Sequence, residues 1–88
     1  MISRTTERFR ACLARLPEPV RQDAHKVFRL FAQDPYHRRL HFKQVHATRP
    51  IYSARIGNGY RAVGVRDGDE IEWYWIGSHD DYERIIEQ

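Results

Sequence analysis

Apolar residues in the first third of the chain recur at helical spacing. Phe9, Cys12, Leu13 and Leu16 fall at i, i+3, i+4 and i+7, behind Thr5 as a candidate cap. Leu16-Pro17-Glu18-Pro19 interrupts that stripe, and Pro19 suits the first turn of a second helix carrying Val20, Ala24, Val27, Phe28 and Phe31 on one face. Asp34-Pro35 stops it, and the two stripes read as an antiparallel helical hairpin that needs a partner layer. Met1 to Arg4 is too short to carry a periodic signal.

Beyond the hairpin the period changes to two, with aromatic and β-branched residues enriched. The pattern predicts strands near 40–45, 51–56, 60–66 and 70–76. Gly57-Asn58-Gly59 and Asp67-Gly68-Asp69 supply turn residues that tolerate positive φ, so the last three strands form an antiparallel meander. Alternation places Trp73 and Trp75 on one strand face and Tyr74 on the other. A short helix over 79–86, acidic in its first turn, closes the chain. The expectation is one α+β domain over residues 1–88, a helical hairpin packed on a four-stranded, mainly antiparallel sheet with a short C-terminal helix. Gly57-Asn58-Gly59-Tyr60-Arg61-Ala62 matches a dinucleotide-binding glycine fingerprint, but a strand follows it where that motif needs a helix.

Charge changes the picture from packing to binding. The 88 residues carry a net +3, which hides a division: eleven Lys and Arg against four acids in residues 1–49, and four against eight in residues 50–88. No acid lies between Asp34 and Asp67, a stretch that holds Arg38, Arg39, Lys43, Arg49, Arg55, Arg61 and Arg66 with His37, His41 and His46 interleaved. Such a surface suits a polyanion, because neutralising phosphates releases condensed counterions; its bland counterpart is a solvated basic face. A chain of this length buries only about 60% of its unfolded surface, leaving no room for a second domain. The single Cys12 excludes an intramolecular disulfide and fits a reducing compartment, and no apolar run reaches the roughly 18 residues of a membrane span. A cytoplasmic protein without membrane partners is the expectation.

Several residue types in this span can do chemistry. Arg55 and Arg61 flank the Gly57 to Gly59 turn and can converge on an anion, or one of them can pair with a carboxylate such as Glu72. His79, after Gly77-Ser78 at a strand-to-helix junction, suits a general acid or base, or a capping role. Tyr82, three residues on, can stack on a base or pack at the core edge. Lys43 and His46 are candidate phosphate contacts or a general base, and Arg38 and Arg39 extend the basic surface. His37, His41 and His46 have spacings that reach one metal ion, but no Cys or carboxylate lies nearby to complete a ligand set, and no metal or cofactor is expected.

Leu40-His41-Phe42-Lys43, Ile51-Tyr52-Ser53-Ala54-Arg55-Ile56-Gly57, Gly59-Tyr60-Arg61 and Trp75-Ile76-Gly77-Ser78-His79-Asp80-Asp81-Tyr82 together resemble the RelE/ParE superfamily of bacterial type II toxins. The resemblance spans nearly the whole chain, and the Gly-Ser-His-Asp segment looks like the YafQ-type mRNA interferase branch. It implies metal-independent cleavage of mRNA on the ribosome, with His79 as proton donor, Arg55 and Arg61 as clamp, Tyr82 orienting the phosphate and Lys43 or His46 as base. It also implies a cognate antitoxin. The chain departs from RelE in lacking a lysine pair before the hairpin, and from YafQ-type enzymes in lacking an acid in the basic span. Within the superfamily, a ParE-like gyrase-inhibiting toxin and a catalytically silent antitoxin-binding module are the other readings.

Overall fold

The computed structural model describes residues 1–87. The element order is β1 (Ile2–Thr5), α1 (Glu7–Ala14), α2 (Glu18–Gln33), a 3-10 turn (Arg38–Leu40), β2 (Lys43–Gln44), β3 (Ile51–Ile56), β4 (Tyr60–Asp67), β5 (Glu70–Ser78) and α3 (His79–Ile86). The strands form one sheet in the order β1-β5-β4-β3-β2. Pairing is antiparallel except where β1 runs parallel to β5.

The sheet thus has five strands where the sequence pattern gives four. The added strand, β1, presents four exposed side chains, so it has no hydrophobic alternation to read. Backbone pairing holds it instead: Ile2 donates to the Asp69 carbonyl at 2.8 Å, and the Trp73 indole donates to Ser3 Oγ at 2.8 Å. The helix cap moves with it. Thr6 takes the place expected of Thr5, its hydroxyl accepting from the Phe9 amide at 3.1 Å.

The strand expected over 40–45 is mostly not extended. His37 caps the 3-10 turn by accepting from the Arg39 amide, and His41 ends it in the left-handed region at φ 45°, which leaves only Lys43–Gln44 to pair with β3. Strands β4 and β5 run one and two residues beyond the expected limits, to Asp67 and Ser78. Helix α3 covers the expected range.

Two cores lie on opposite faces of the sheet. Under α1 and α2, Phe9, Ala24 and Phe31 pack on Ala54, Ile56, Ala62, Ile71 and Trp73. Trp73 is fully buried, with Phe28, Phe31 and Phe42 at ring separations of 5.4, 5.5 and 6.1 Å in edge-on geometry. The opposite face holds a smaller cluster of Ile51, Val63, Trp75 and Tyr82, closed by α3.

Trp73 and Trp75 therefore face opposite ways, contrary to simple alternation. The pairing shifts between Val63 and Gly64: Val63 faces Trp75 while Gly64 faces Trp73, so Tyr74 is the extra residue of a β-bulge. Burial pushes the Tyr74 hydroxyl pKa up, partly offset by Arg8 and Arg49. Gly64 is required opposite this bulge, since a Cβ there would stand 2.9 Å from the Glu72 carbonyl and 3.0 Å from the Trp73 ring. The bulge gives each core one tryptophan from three consecutive residues.

Candidate functional site

The hairpin register places Arg55 directly opposite Arg61. Directly paired residues project to the same sheet face, so the two guanidiniums share a side. Like charges facing each other destabilise the pair unless something anionic separates them. The turn between them uses left-handed backbone at Gly57 and Gly59, with φ 51° and 89°. A Cβ at Gly57 would also lie 2.4 Å from Asp23 Oδ2 of α2, so that carboxylate would have to turn aside.

This turn also sets the start of α3. The His79 amide donates to the Gly59 carbonyl at 2.9 Å, and Ser78 Oγ caps the helix by accepting from the Asp81 amide at 3.3 Å. The imidazole of His79 thereby arrives beside the arginine pair. A recess of about 230 Å³ results, lined by His41, Arg55, Gly59, Tyr60, Arg61 and His79. Among the described residues no carboxylate lines it.

The two arginines are held differently. Arg61 lies over the Tyr82 ring at 5.3 Å and donates to Ser53 Oγ at 3.4 Å; the Tyr82 hydroxyl meets the same oxygen at 3.5 Å. Exposed Arg55 is tethered through Nε to the Gly57 carbonyl at 3.1 Å, which leaves its terminal nitrogens to face a ligand. Neither is salt-bridged: among the described residues the ion pairs are Met1 with Asp69, Arg4 with Glu70 and Arg84 with Asp81. Glu72 does not pair with the arginines.

The sequence candidates separate into groups. Arg55, Arg61 and His79 converge on the recess. Tyr82 is only 7% exposed and belongs to the second core, so it supports Arg61 from behind while its ring centroid stands 5.6 Å from that of His79. Lys43 pairs with Ser53, on the arginines' side of the sheet, and is exposed outside the recess. His46 folds its own loop, Nδ1 accepting from the Thr48 and Arg49 amides at 3.1 and 3.0 Å. Arg38 and Arg39 line a second cleft, of about 900 Å³, with Lys26 of α2. His41 and Arg55 belong to both cavities.

His41 is the residue sequence reasoning weighed only as a metal ligand. It is the one non-glycine residue with positive φ among the described residues, and such backbone persists where the surroundings enforce it. Its neighbours His37 and His46 engage backbone amides in their own turns, whereas His41 is brought across to His79. The spacing of three histidines hides this distinction. Among the described residues no three His, Cys, Asp or Glu side chains cluster as a metal site. No helix among them is long and apolar enough to cross a membrane.

The arrangement can hold a phosphate between two guanidiniums and present two imidazoles to it, one from the 3-10 turn and one from α3. Comparison with known proteins gives the family. Solved structures with the same fold include the RelB–RelE antitoxin–toxin complex from Methanococcus jannaschii, with TM-score 0.74, 17% identity and coverage of 93% of this chain and 96% of that one. The RelBE2 toxin–antitoxin complex from Mycobacterium tuberculosis matches with TM-score 0.70, 21% identity and coverage of 89% and 96%. The YoeB/ParE toxin from Agrobacterium tumefaciens matches with TM-score 0.66, 15% identity and coverage of 90% and 99%. No curated protein matches. The family model for the ParE-like toxin domain matches residues 18–84, a span that contains both arginines, His41 and His79, and the chain belongs to that family.

Proposed function

We propose that this protein is the toxin of a toxin–antitoxin pair and that it inhibits translation by cleaving messenger RNA on the ribosome. The observation that carries the reading is the acid-free recess in which unpaired Arg55 and Arg61 face His41 and His79. In-line cleavage of RNA needs that set: a base, an acid, and cations for the oxygens that gain charge.

The reaction runs from the substrate's own 2′-hydroxyl. Its oxygen attacks the adjacent phosphorus as the imidazole of His41 takes the proton, and the bond from phosphorus to the 5′-oxygen breaks. The imidazolium of His79 gives that leaving oxygen a proton. The products are a 2′,3′-cyclic phosphate and a free 5′-hydroxyl, with no atom drawn from water. Arg55 and Arg61 clamp the non-bridging oxygens, where planar guanidinium forks fit a phosphoryl group. Tyr82 keeps Arg61 in place from the protein side. His41 takes the role of base in preference to Lys43 and His46, which lie outside the recess.

The partner follows from charge and from the structural relatives. Two of the relatives described above are solved as toxin–antitoxin complexes, and an acidic segment suits the unpaired cations on this surface. The family's ParE-like description favours a second reading, a gyrase-inhibiting toxin that does not need His79.

Primer extension on a reporter mRNA after brief induction separates the two. Discrete in-frame cuts that vanish in His79→Ala and Arg61→Ala support the ribonuclease. Growth arrest with intact mRNA and induction of the DNA-damage response, retained in His79→Ala, supports gyrase poisoning.

A further inference from the structure

The larger cleft opens beside the reaction recess and shares His41 and Arg55 with it. Its accessible apolar wall comes from half-buried Val27 and Leu30 of α2, with fully buried Leu40 behind them. Its rim is cationic, from Lys26, Arg38 and Arg39, all exposed and without a carboxylate partner among the described ion pairs. At about 900 Å³ it lies within the range of roughly 300–1,000 Å³ typical of small-ligand sites. An apolar wall under a donor-only rim suits a nucleobase, whose face packs on aliphatic carbon and whose edge carries acceptors.

The two cavities are not equivalent with respect to the proposed acid and base. His41 reaches both, whereas His79 lines the recess alone. In the cleavage described above, the base removes a proton from the nucleotide on the 5′ side of the broken bond, and the acid protonates the nucleotide on the 3′ side. The nucleotide attached to His41's side is therefore the 5′ one. We infer that the cleft between α2 and the 3-10 turn is the subsite for the nucleotide that bears the attacking 2′-hydroxyl, its base against Val27 and Leu30 and its 3′-phosphate between Arg55 and Arg61.

This inference rests on the ribonuclease reading, and it gives the substrate strand a direction across the protein. The rim side chains present hydrogen-bond donors only, so guanine, with O6 and N7 acceptors on one edge, is the base it fits best.

Guanosine 3′-monophosphate, guanosine 5′-monophosphate and inorganic phosphate are the probes, each titrated into the purified protein and followed by backbone amide NMR. The 3′-nucleotide should move the amides of Leu30 and Leu40 as well as those of Gly59 and Arg61, and should bind about tenfold more tightly than the 5′-nucleotide. Lys26→Glu combined with Arg39→Glu, both at exposed positions, should erase that preference while inorganic phosphate still moves Gly59 and Arg61. Equal binding of the two nucleotides, or Leu30 and Leu40 amides that stay still, overturns the subsite and leaves the recess chemistry standing. So does an acidic amphipathic peptide that occupies the cleft without competition from the 3′-nucleotide. Inorganic phosphate that leaves Gly59 and Arg61 unmoved overturns the ribonuclease reading itself.

Discussion

The β3–β4 and β4–β5 turns lie at opposite ends of β4, and each stands beside a small recess, about 230 Å³ at the first and 240 Å³ at the second. Each turn has a glycine with positive φ and an arginine whose Nε donates to that glycine's carbonyl, Arg55 to Gly57 at 3.1 Å and Arg66 to Gly68 at 3.0 Å. The charges then diverge. Around the second recess Arg4 pairs with Glu70, and the N-terminal amine with Asp69 at the adjoining turn, while Arg66 lies near the rings of Tyr36 and Tyr52, at 6.0 and 5.3 Å. Interaction with the Tyr36 hydroxyl, followed by that with Tyr52, raises the Arg66 pKa against the opposing effect of burial. At the first recess Arg55 and Arg61 face each other with no counterion among the described residues. At the second turn the cations have partners within the chain, while Asp67 and Glu72 of its recess are in no ion pair; at the first turn the two cations have none among the described residues.

The largest expected effects fall at the first turn, where the cations are unpartnered. Arg61→Ala should lower cleavage by about 10²–10³, the typical loss when one preorganised charge-stabilising donor is removed, with the thermal midpoint changed little. His79→Ala should lower cleavage by about 10²–10⁴ through loss of the acid. Both are measured as single-turnover rates on ribosome-bound message. By contrast Arg66→Ala, at the second turn, should leave that rate within about twofold, because its guanidinium faces rings and a carbonyl of its own chain.

Glycine substitutions sharpen the same contrast in stability. Gly57→Ala combines left-handed backbone with a Cβ driven toward Asp23, and should cost about 2–3 kcal/mol in urea unfolding. Gly68→Ala has the same backbone strain but nothing within 4 Å of its Cβ, and should cost about 1–2 kcal/mol. Equal costs at the two positions would mean that the Asp23 carboxylate turns aside without penalty. The smallest effect belongs to Glu70→Gln. Its bridge to Arg4 is solvent-exposed, so the loss should stay below about 1 kcal/mol and shrink with salt.

Much of this contrast was readable in the sequence, because it follows from where acids are missing. The acid-free span, the glycine turn and the paired arginines all lie within a local pattern, and local patterns also give α2, α3 and the three-stranded meander. What escaped depends on partners far along the chain. Strand β1 has no alternation of its own and exists through pairing with β5, some seventy residues away in Trp73 and its neighbours. The bulge at Tyr74 arises from how β5 meets Gly64, so strict alternation assigned Trp73 and Trp75 to one face. His41 was hidden by its chemistry: three histidines in a basic run look alike until backbone conformation turns two into local caps and one into the recess. Tyr82 shares a helix face with His79 as expected, but its burial makes it a support for Arg61.

The most direct measurement is the cleavage of message on programmed ribosomes by purified protein, comparing wild type, Arg61→Ala and Arg66→Ala, with the ends of the fragments identified. The account predicts fragments ending in 2′,3′-cyclic phosphate and 5′-hydroxyl for wild type and Arg66→Ala, and at least a hundredfold less for Arg61→Ala. Full activity in Arg61→Ala, or no cleavage by the wild-type protein, would contradict the claim that the first turn, with its unpartnered cations, is a ribonuclease site.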